Sequence, residues 1–280
     1  MENTSNRKGV DALSELLGDP GRNARCDIWL WLHLQMDLDA SFDPSTCGGL
    51  TMRNEIAFFL KTKKYPLHRI AREKDRSLIP DESLAWIDED ERQHQWLLGR
   101  VEKTANLRLP RGLVHLKGRK LLIALIDSWD AYLEEKSDEI ELLRKEWLRH
   151  KAKDSEFEWF ADKKESASRC ACAWEWLEKD NSHVSRRTSP ITNYKELLMF
   201  FDGAELGRNE QKAIINEIKK RWNRKQLDVR NPDKKQLNVM IPIAVIAQLD
   251  ELAAKHKLKR PQVIERLITG EFEAGIHLDY

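Results

Sequence analysis

The chain has 280 residues, which suits one large domain or two to three small ones. Apolar residues at 41% and charged residues at 34% exclude disorder as the default and require amphipathic elements rather than uniformly apolar ones. Lys+Arg 48 against Asp+Glu 47 excludes a globally basic or acidic protein, and Gly 12 with Pro 9 is too few for the tight turns of a sandwich or barrel, so the class is mainly α.

Residues 1–24 are rich in Asn, Ser, Gly and Asp around a short helical stretch near Val10 to Leu17, and read as a flexible N-terminus. A helical domain of unassigned role is predicted over 25–165. Ile28 to Leu38 alternate strictly, as a strand would, but the stretch is Leu-rich and also places Ile28, Trp31, Leu32 and Met36 at helical spacing, so a helix is predicted. After a turn at Pro44 to Gly49, Met52, Ile56, Phe59 and Leu60 make a helical stripe that Pro66 interrupts. Asp81 to Ser83 are read as the cap of a helix that buries Leu84, Ile87, Trp96, Leu97 and Val101. Leu121 to Leu148 predict one or two long helices, and Asp127 to Glu165 hold 13 acidic against 8 basic residues, a solvated acidic face.

A helical bundle is predicted over 166–230. It contains "CAWEWL" with Trp174, Trp176 and Leu177, then a helix from Tyr194 to Phe201 stopping at Asp202-Gly203, then an amphipathic helix from Asn209 to Lys225 with Ile214, Ile215, Ile218 and Trp222 inward. The other face of that last helix is basic: Arg208 to Lys235 carry 10 Lys/Arg against 4 Asp/Glu, so the chain segregates its charge. "WLWL" at Trp29 and "NEIAFFL" at Asn54 have counterparts in "WEWL" at Trp174 and "KELLMFF" at Lys195; shared helix composition accounts for this at least as well as duplication.

The last fifty residues are the most specific. In "KKQLNVMIP", Lys234 to Pro242, Leu237, Val239 and Ile241 alternate with Gln236, Asn238 and Met240, which predicts a short, half-buried strand. Pro242 opens a helix with Val245, Leu249, Leu252 and Ala253 on one side; after a basic turn at Leu258 to Arg260, Pro261 opens another, with Val263, Ile264, Leu267 and Ile268 inward until Gly270. A lone strand is unstable, and pairing with the same strand of a second chain would give a two-stranded ribbon in a symmetric homodimer, a shape that enters the major groove of double-stranded DNA.

This order of strand, helix, turn and helix over 231–272 resembles the ribbon-helix-helix family. Together with the Trp-rich block and the basic helix "INEIKKRWNRKQ", about 169–268 resembles the MatP (macrodomain Ter protein) family. The resemblance implies that Gln236, Asn238 and Met240 read base edges while Leu237, Val239 and Ile241 form the dimer core. It also implies phosphate contacts from Lys219, Lys220, Arg221, Arg224, Lys225, Lys234 and Lys235, and from a clamp at Lys259, Arg260 and Gln262. Pro261 stands where the family carries a small hydroxyl residue, and removes one N–H donor; Met240 replaces a long polar residue. The tail 273–280 leaves no expectation of a bridging coiled coil.

The implied function is sequence-specific DNA binding to a palindromic site in chromosome or plasmid organisation, at the nucleoid in the cytoplasm. A ribbon-helix-helix repressor or an antitoxin-like autoregulator is the alternative, and the N-terminal region is a candidate platform for an unidentified protein partner.

The longest apolar runs, Ile28 to Leu32 and Leu121 to Ile126, fall short of the roughly 20 residues of a membrane helix, and Met1 to Val10 do not resemble a signal peptide. Cys26, Cys47, Cys170 and Cys172 read as free thiols in a reducing compartment, and Cys170-Ala-Cys172 with His183 lacks the spacing of a zinc site. His33, His68, His94 and His115 have no motif that places a nucleophile beside them, and "GLVHLKGRK" at Gly112 lacks the spacing of a phosphate loop. The ten Trp residues sit mostly at core spacing. No catalytic set, cofactor or metal is expected, and an N-terminal enzyme is the remaining outsider.

Overall fold

The computed structural model describes residues 11–18, 23–179, 189–204, 206–230, 232–233 and 237–275. Over these residues the chain is mainly helical and forms no strand. Two compact units divide it, Met1–Trp222 and Asn223–Tyr280.

The first unit holds α1 (Ala12–Leu17), α2 (Ala24–Asp37), α3 (Met52–Lys63), α4 (Leu67–Ser77), α5 (Asp81–Leu84), α6 (Glu91–Ala105), α7 (Arg119–Ser128), α8 (Leu133–Lys151), α9 (Ser166–Lys179), α10 (Tyr194–Gly203) and most of α11 (Arg208–Arg230), with a 3-10 helix at Ala152–Ala161 after α8. Three cores organise it. Leu13, Trp31, Leu34, Ile56 and Leu60 close α1, α2 and α3 over one another. Leu97, Val101, Leu125, Ile126, Leu143 and Trp147 join α6, α7 and α8. Phe157 and Phe160 of the 3-10 helix meet Cys170, Leu177, Leu197, Phe200, Ile215 and Ile218, so this core draws on both sides of residue 165. Eight of the ten tryptophans serve these cores: Trp31 is fully buried, and Trp96 and Trp147 pack at 5.4 Å between ring centroids.

Local chemistry explains most element ends. The Asn23 side chain accepts from the N–H groups of Arg25 and Cys26, starting α2 despite the strand-like alternation of Ile28 to Leu38. All of Ile28 to Leu32 is buried, so the alternation reflects a helix apolar on more than one side rather than a strand. Lys64 in the left-handed region ends α3, and Pro66 starts α4.

Three expectations are corrected. The helix predicted from Asp81 through Val101 is two: α5 lasts four residues, and Asp90 caps α6 afresh by accepting from the Arg92 N–H at 3.2 Å. Residues 11–18 are not frayed, because Leu13 is fully buried and the Asp11 carboxylate takes two bonds from the Arg53 guanidinium. The final helix does not stop at Gly270 but runs to Ala274, where Gly275 turns into the left-handed region.

Charges buried in the first unit tie distant elements together. The Arg25 guanidinium bonds both Asp127 oxygens, at 2.8 and 2.6 Å, joining α2 to α7. Arg92 donates to both oxygens of Asp154 and both of Asp202, and His150 Nε2 lies 2.7 Å from Asp202 Oδ1; these bonds tie α6 to the 3-10 helix and α10.

Candidate nucleic-acid interface

On α11, the buried Ile215, Ile218 and Trp222 fix the inward side. At about 100° per residue, Lys220 and Arg224 then fall almost opposite, four residues apart on the outward face. Lys220 is exposed and pairs with Glu217 at 2.7 Å, a surface pair of little energetic weight. Arg224 is exposed and makes no hydrogen bond or ion pair among the described residues.

The other three predicted phosphate contacts on this helix are engaged with protein. Lys219 Nζ sits 5.6 Å over the Trp159 ring, Arg221 lies 3.6 Å from Glu175 and is half-buried, and Lys225 is half-buried with an interaction of its own.

The second unit consists of the end of α11, the stretch 237–242, α12 (Ile243–His256) and α13 (Arg260–Ala274), with α12 packed on α13. Lys234, Lys235 and Gln236 lie outside the described residues, as does His183. The alternation in 237–241 had implied half-burial, and in the single chain only Ile241 shows it. Leu237 is 75% exposed and Val239 60%, beside a fully exposed Met240, while Asn238 is exposed and Ile241 only half-buried. The physical reason is that no second strand exists among the described residues to pair with or cover them. Likewise Ile264, Leu267 and Ile268 face solvent, and Val263 alone is buried in α12 and α13.

The predicted clamp at the start of α13 is largely spent on the fold. The Lys259 N–H donates to Gln262 Oε1 at 2.9 Å, and the N–H groups of Gln262 and Val263 both return to the Lys259 carbonyl. Pro261 has no N–H. The Arg260 guanidinium donates to both oxygens of Asp250 across the α12–α13 turn, the longer bond at 2.7 Å, and this bond holds the Asp250 carboxyl below the usual range. The N–H groups of Gln262 and Val263 and the Arg260 guanidinium therefore close the turn.

The remaining predicted sites are structural. Cys47, Cys170 and Cys172 are buried and Cys26 is half-buried, all free thiols. Burial pushes the Cys47 thiol up to about 12 and Cys170 up to about 11, far from a reactive thiolate. His94 Nε2 meets the Asp88 carbonyl at 2.6 Å, whereas His68 and His115 are exposed. His33 Nδ1 lies 2.6 Å from Asp37 Oδ2 and the ring stacks on Trp29, a pairing whose i, i+4 spacing was readable in the sequence but was not singled out. The described helices include none long and apolar enough to cross a membrane.

Comparison with protein-family models, curated proteins and solved structures returned no match to this chain.

Proposed function

We propose that the chain is a homodimeric, sequence-specific DNA-binding protein that reads a palindromic site through a ribbon-helix-helix module at 231–272, acting in chromosome or plasmid organisation as its resemblance to the MatP family implies. The observation that carries this reading is the apolar excess of the second unit. Two helices that bury only Val263 leave Leu237, Val239, Ile243, Leu267 and Phe272 in water. A unit this small, with no disulfide among the described cysteines, usually reaches stability by association. A second copy laid antiparallel along 237–241 would form a two-stranded ladder and bury the Leu237, Val239 and Ile241 parity. Asn238 and Met240 would then stand on the open face of the ribbon.

Lys220 and Arg224 supply the phosphate grip in this reading, with Lys219, Arg221 and Lys225 as its flank. The α13 clamp contributes less, because the Arg260 guanidinium and the Gln262 N–H already donate within the turn.

Selection of bound duplexes from a random pool, with the parent and a Gln236/Asn238/Met240 alanine triple variant at near-physiological salt, tests the proposal. Enrichment of a palindrome by the parent alone supports it; no enrichment by either reduces the module to a dimeriser. Genome-wide occupancy then separates the two roles, since an organiser occupies many scattered sites and an autoregulatory repressor one promoter.

A further inference from the structure

Between α6 and α7 the thirteen residues 106–118 form no helix, yet they are held against the body of the first unit. Leu113 and Leu116 are buried in the core that closes α1, α2 and α3. Close backbone approaches seat the rest on the turn at 44–49. A Cβ on Gly112 would lie 3.4 Å from Pro44 Cβ, one on Gly48 3.0 Å from Leu116 Cδ2, and one on Gly49 3.1 Å from the His115 ring. The Arg119 guanidinium fixes the exit, donating from Nε to the Ile87 carbonyl at 2.7 Å. An ordered loop of this length without secondary structure of its own is uncommon and usually functional.

The charge on this loop is one-sided. Residues 103–126 carry six Lys/Arg and no Asp/Glu, in a chain where acids number 47 of 280. Lys103, Arg108, Arg111, Lys117 and Lys120 are exposed, and their side chains make no hydrogen bond or ion pair among the described residues. On α8, by contrast, Arg144 and Lys145 both meet Glu141, as on an ordinary solvated helix. The carboxylates that share cavities with the loop are mostly taken: Asp27 by Arg53, Asp81 and Asp127 by Arg25, and Glu91 by Lys195, which leaves Glu89. Open cations therefore outweigh open acids around an ordered backbone, a field that draws in anions.

We infer that this loop is a second nucleic-acid surface, which holds the phosphate backbone of double-stranded DNA through Arg108, Arg111, Lys117 and Lys120 without reading sequence. Its cations run from Lys103 in the last turn of α6 to Lys120 in the first turn of α7. That dispersal suits a ligand of repeated charge rather than one small anion. A lipid surface fits less well, because Val114 is the large apolar side chain that the loop exposes, and membrane-lying segments present a whole apolar face. With the backbone held in advance, binding orders side chains only.

Fluorescence anisotropy of the full chain on a random-sequence duplex of about 30 base pairs, over about 50 to 200 mM salt, tests this. The parent should bind with a steep salt dependence. Arg108→Gln, Arg111→Gln, Lys117→Gln and Lys120→Gln together should weaken binding roughly tenfold or more and lower the slope of log affinity against log salt by about three. All four side chains are exposed and unbonded, so the helical circular dichroism should not change. Arg144→Gln, Lys145→Gln, Arg149→Gln and Lys151→Gln on α8 remove the same charge and should leave duplex binding within about twofold of the parent. No duplex binding by the parent would overturn the inference, as would equal losses from the two quadruple variants or no loss from the loop variant. Binding to phosphatidylglycerol vesicles that the loop variant loses, with duplex binding unchanged, would replace DNA by a lipid surface. Failure of the ribbon reading shows separately: the parent then enriches no palindrome, while the loop variant still loses affinity for the random duplex.

Discussion

Arg92 has only 7% of its side chain exposed and meets two carboxylates, of which Asp202 is 9% exposed. Burial works against its charge, but the bonds it donates to Asp154 and Asp202 outweigh it and raise its pKa above the ordinary value. Removing one member of a buried ion network strands the others. Arg92→Met should therefore destabilise the first unit by about 3 kcal/mol, read from urea denaturation. Lys136 is the opposite case. It is fully buried on α8 with Nζ donating to the Ser77 carbonyl, and burial lowers it from 10.5 to about 8 despite Asp127 and Asp130. Between those values the unfolded chain binds a proton that the folded chain does not, so stability contributed at this position rises with pH across that window; below it the burial penalty is present in full. The stability of the parent relative to Lys136→Met should accordingly increase by on the order of 2 kcal/mol from pH 8 to 10.5, measured by denaturation at several pH values. At the proposed interface, Lys220→Ala should weaken all duplexes alike and flatten the salt dependence by about two counterions per dimer, while Asn238→Ala should relax sequence preference at one base pair per half-site. Filter binding over a salt series, on specific and scrambled duplexes, separates the two.

At the scale of elements, caps and breakers carried most of the readable information. Pro66 divides α3 from α4 and Asn23 opens α2, both visible as residues whose chemistry acts within a turn. The break between α5 and α6 escaped the reading because Asp81 to Ser83 and Asp90 each make a plausible cap, and only packing decides that both are used. Gly118 starts α7 with φ +54, and a Cβ there would lie 3.1 Å from His94 Nδ1. His94 is itself held to Asp88, so the ring has little freedom to yield. Gly118→Ala should cost about 2 kcal/mol from backbone strain and this contact together, lowering the melting temperature in a calorimetric scan.

At the scale of the molecule, the second unit has too little interior to account for its apolar content. Leu237→Glu with Val239→Glu would leave the monomer's few contacts unchanged, because both side chains are already exposed, yet would place charges at the centre of the proposed ribbon. Sedimentation should report the parent as a dimer and this double variant as a monomer, with duplex binding lost and the helical circular dichroism of the first unit kept. A variant that remains dimeric would place the interface elsewhere.

The helices, the separation of basic from acidic segments and the apolar stripes of α3, α10 and α11 were legible because each depends on residues within a turn or two. The alternating run from Leu237 to Ile241 was legible as a pattern, but whether it is buried depends on a surface that a single chain does not provide. Tertiary structure alone decided which charges remain available. Arg221 is claimed by Glu175 and Arg260 by Asp250, while Arg224 is left open, and spacing on one helix cannot foresee a partner on another. It also brought Arg25 to Asp127 and Arg92 to Asp202, 102 and 110 residues apart, and seated the His115 ring on Gly49. Local propensity reaches about one turn along the chain; these assemblies arise only when packed cores bring distant helices together.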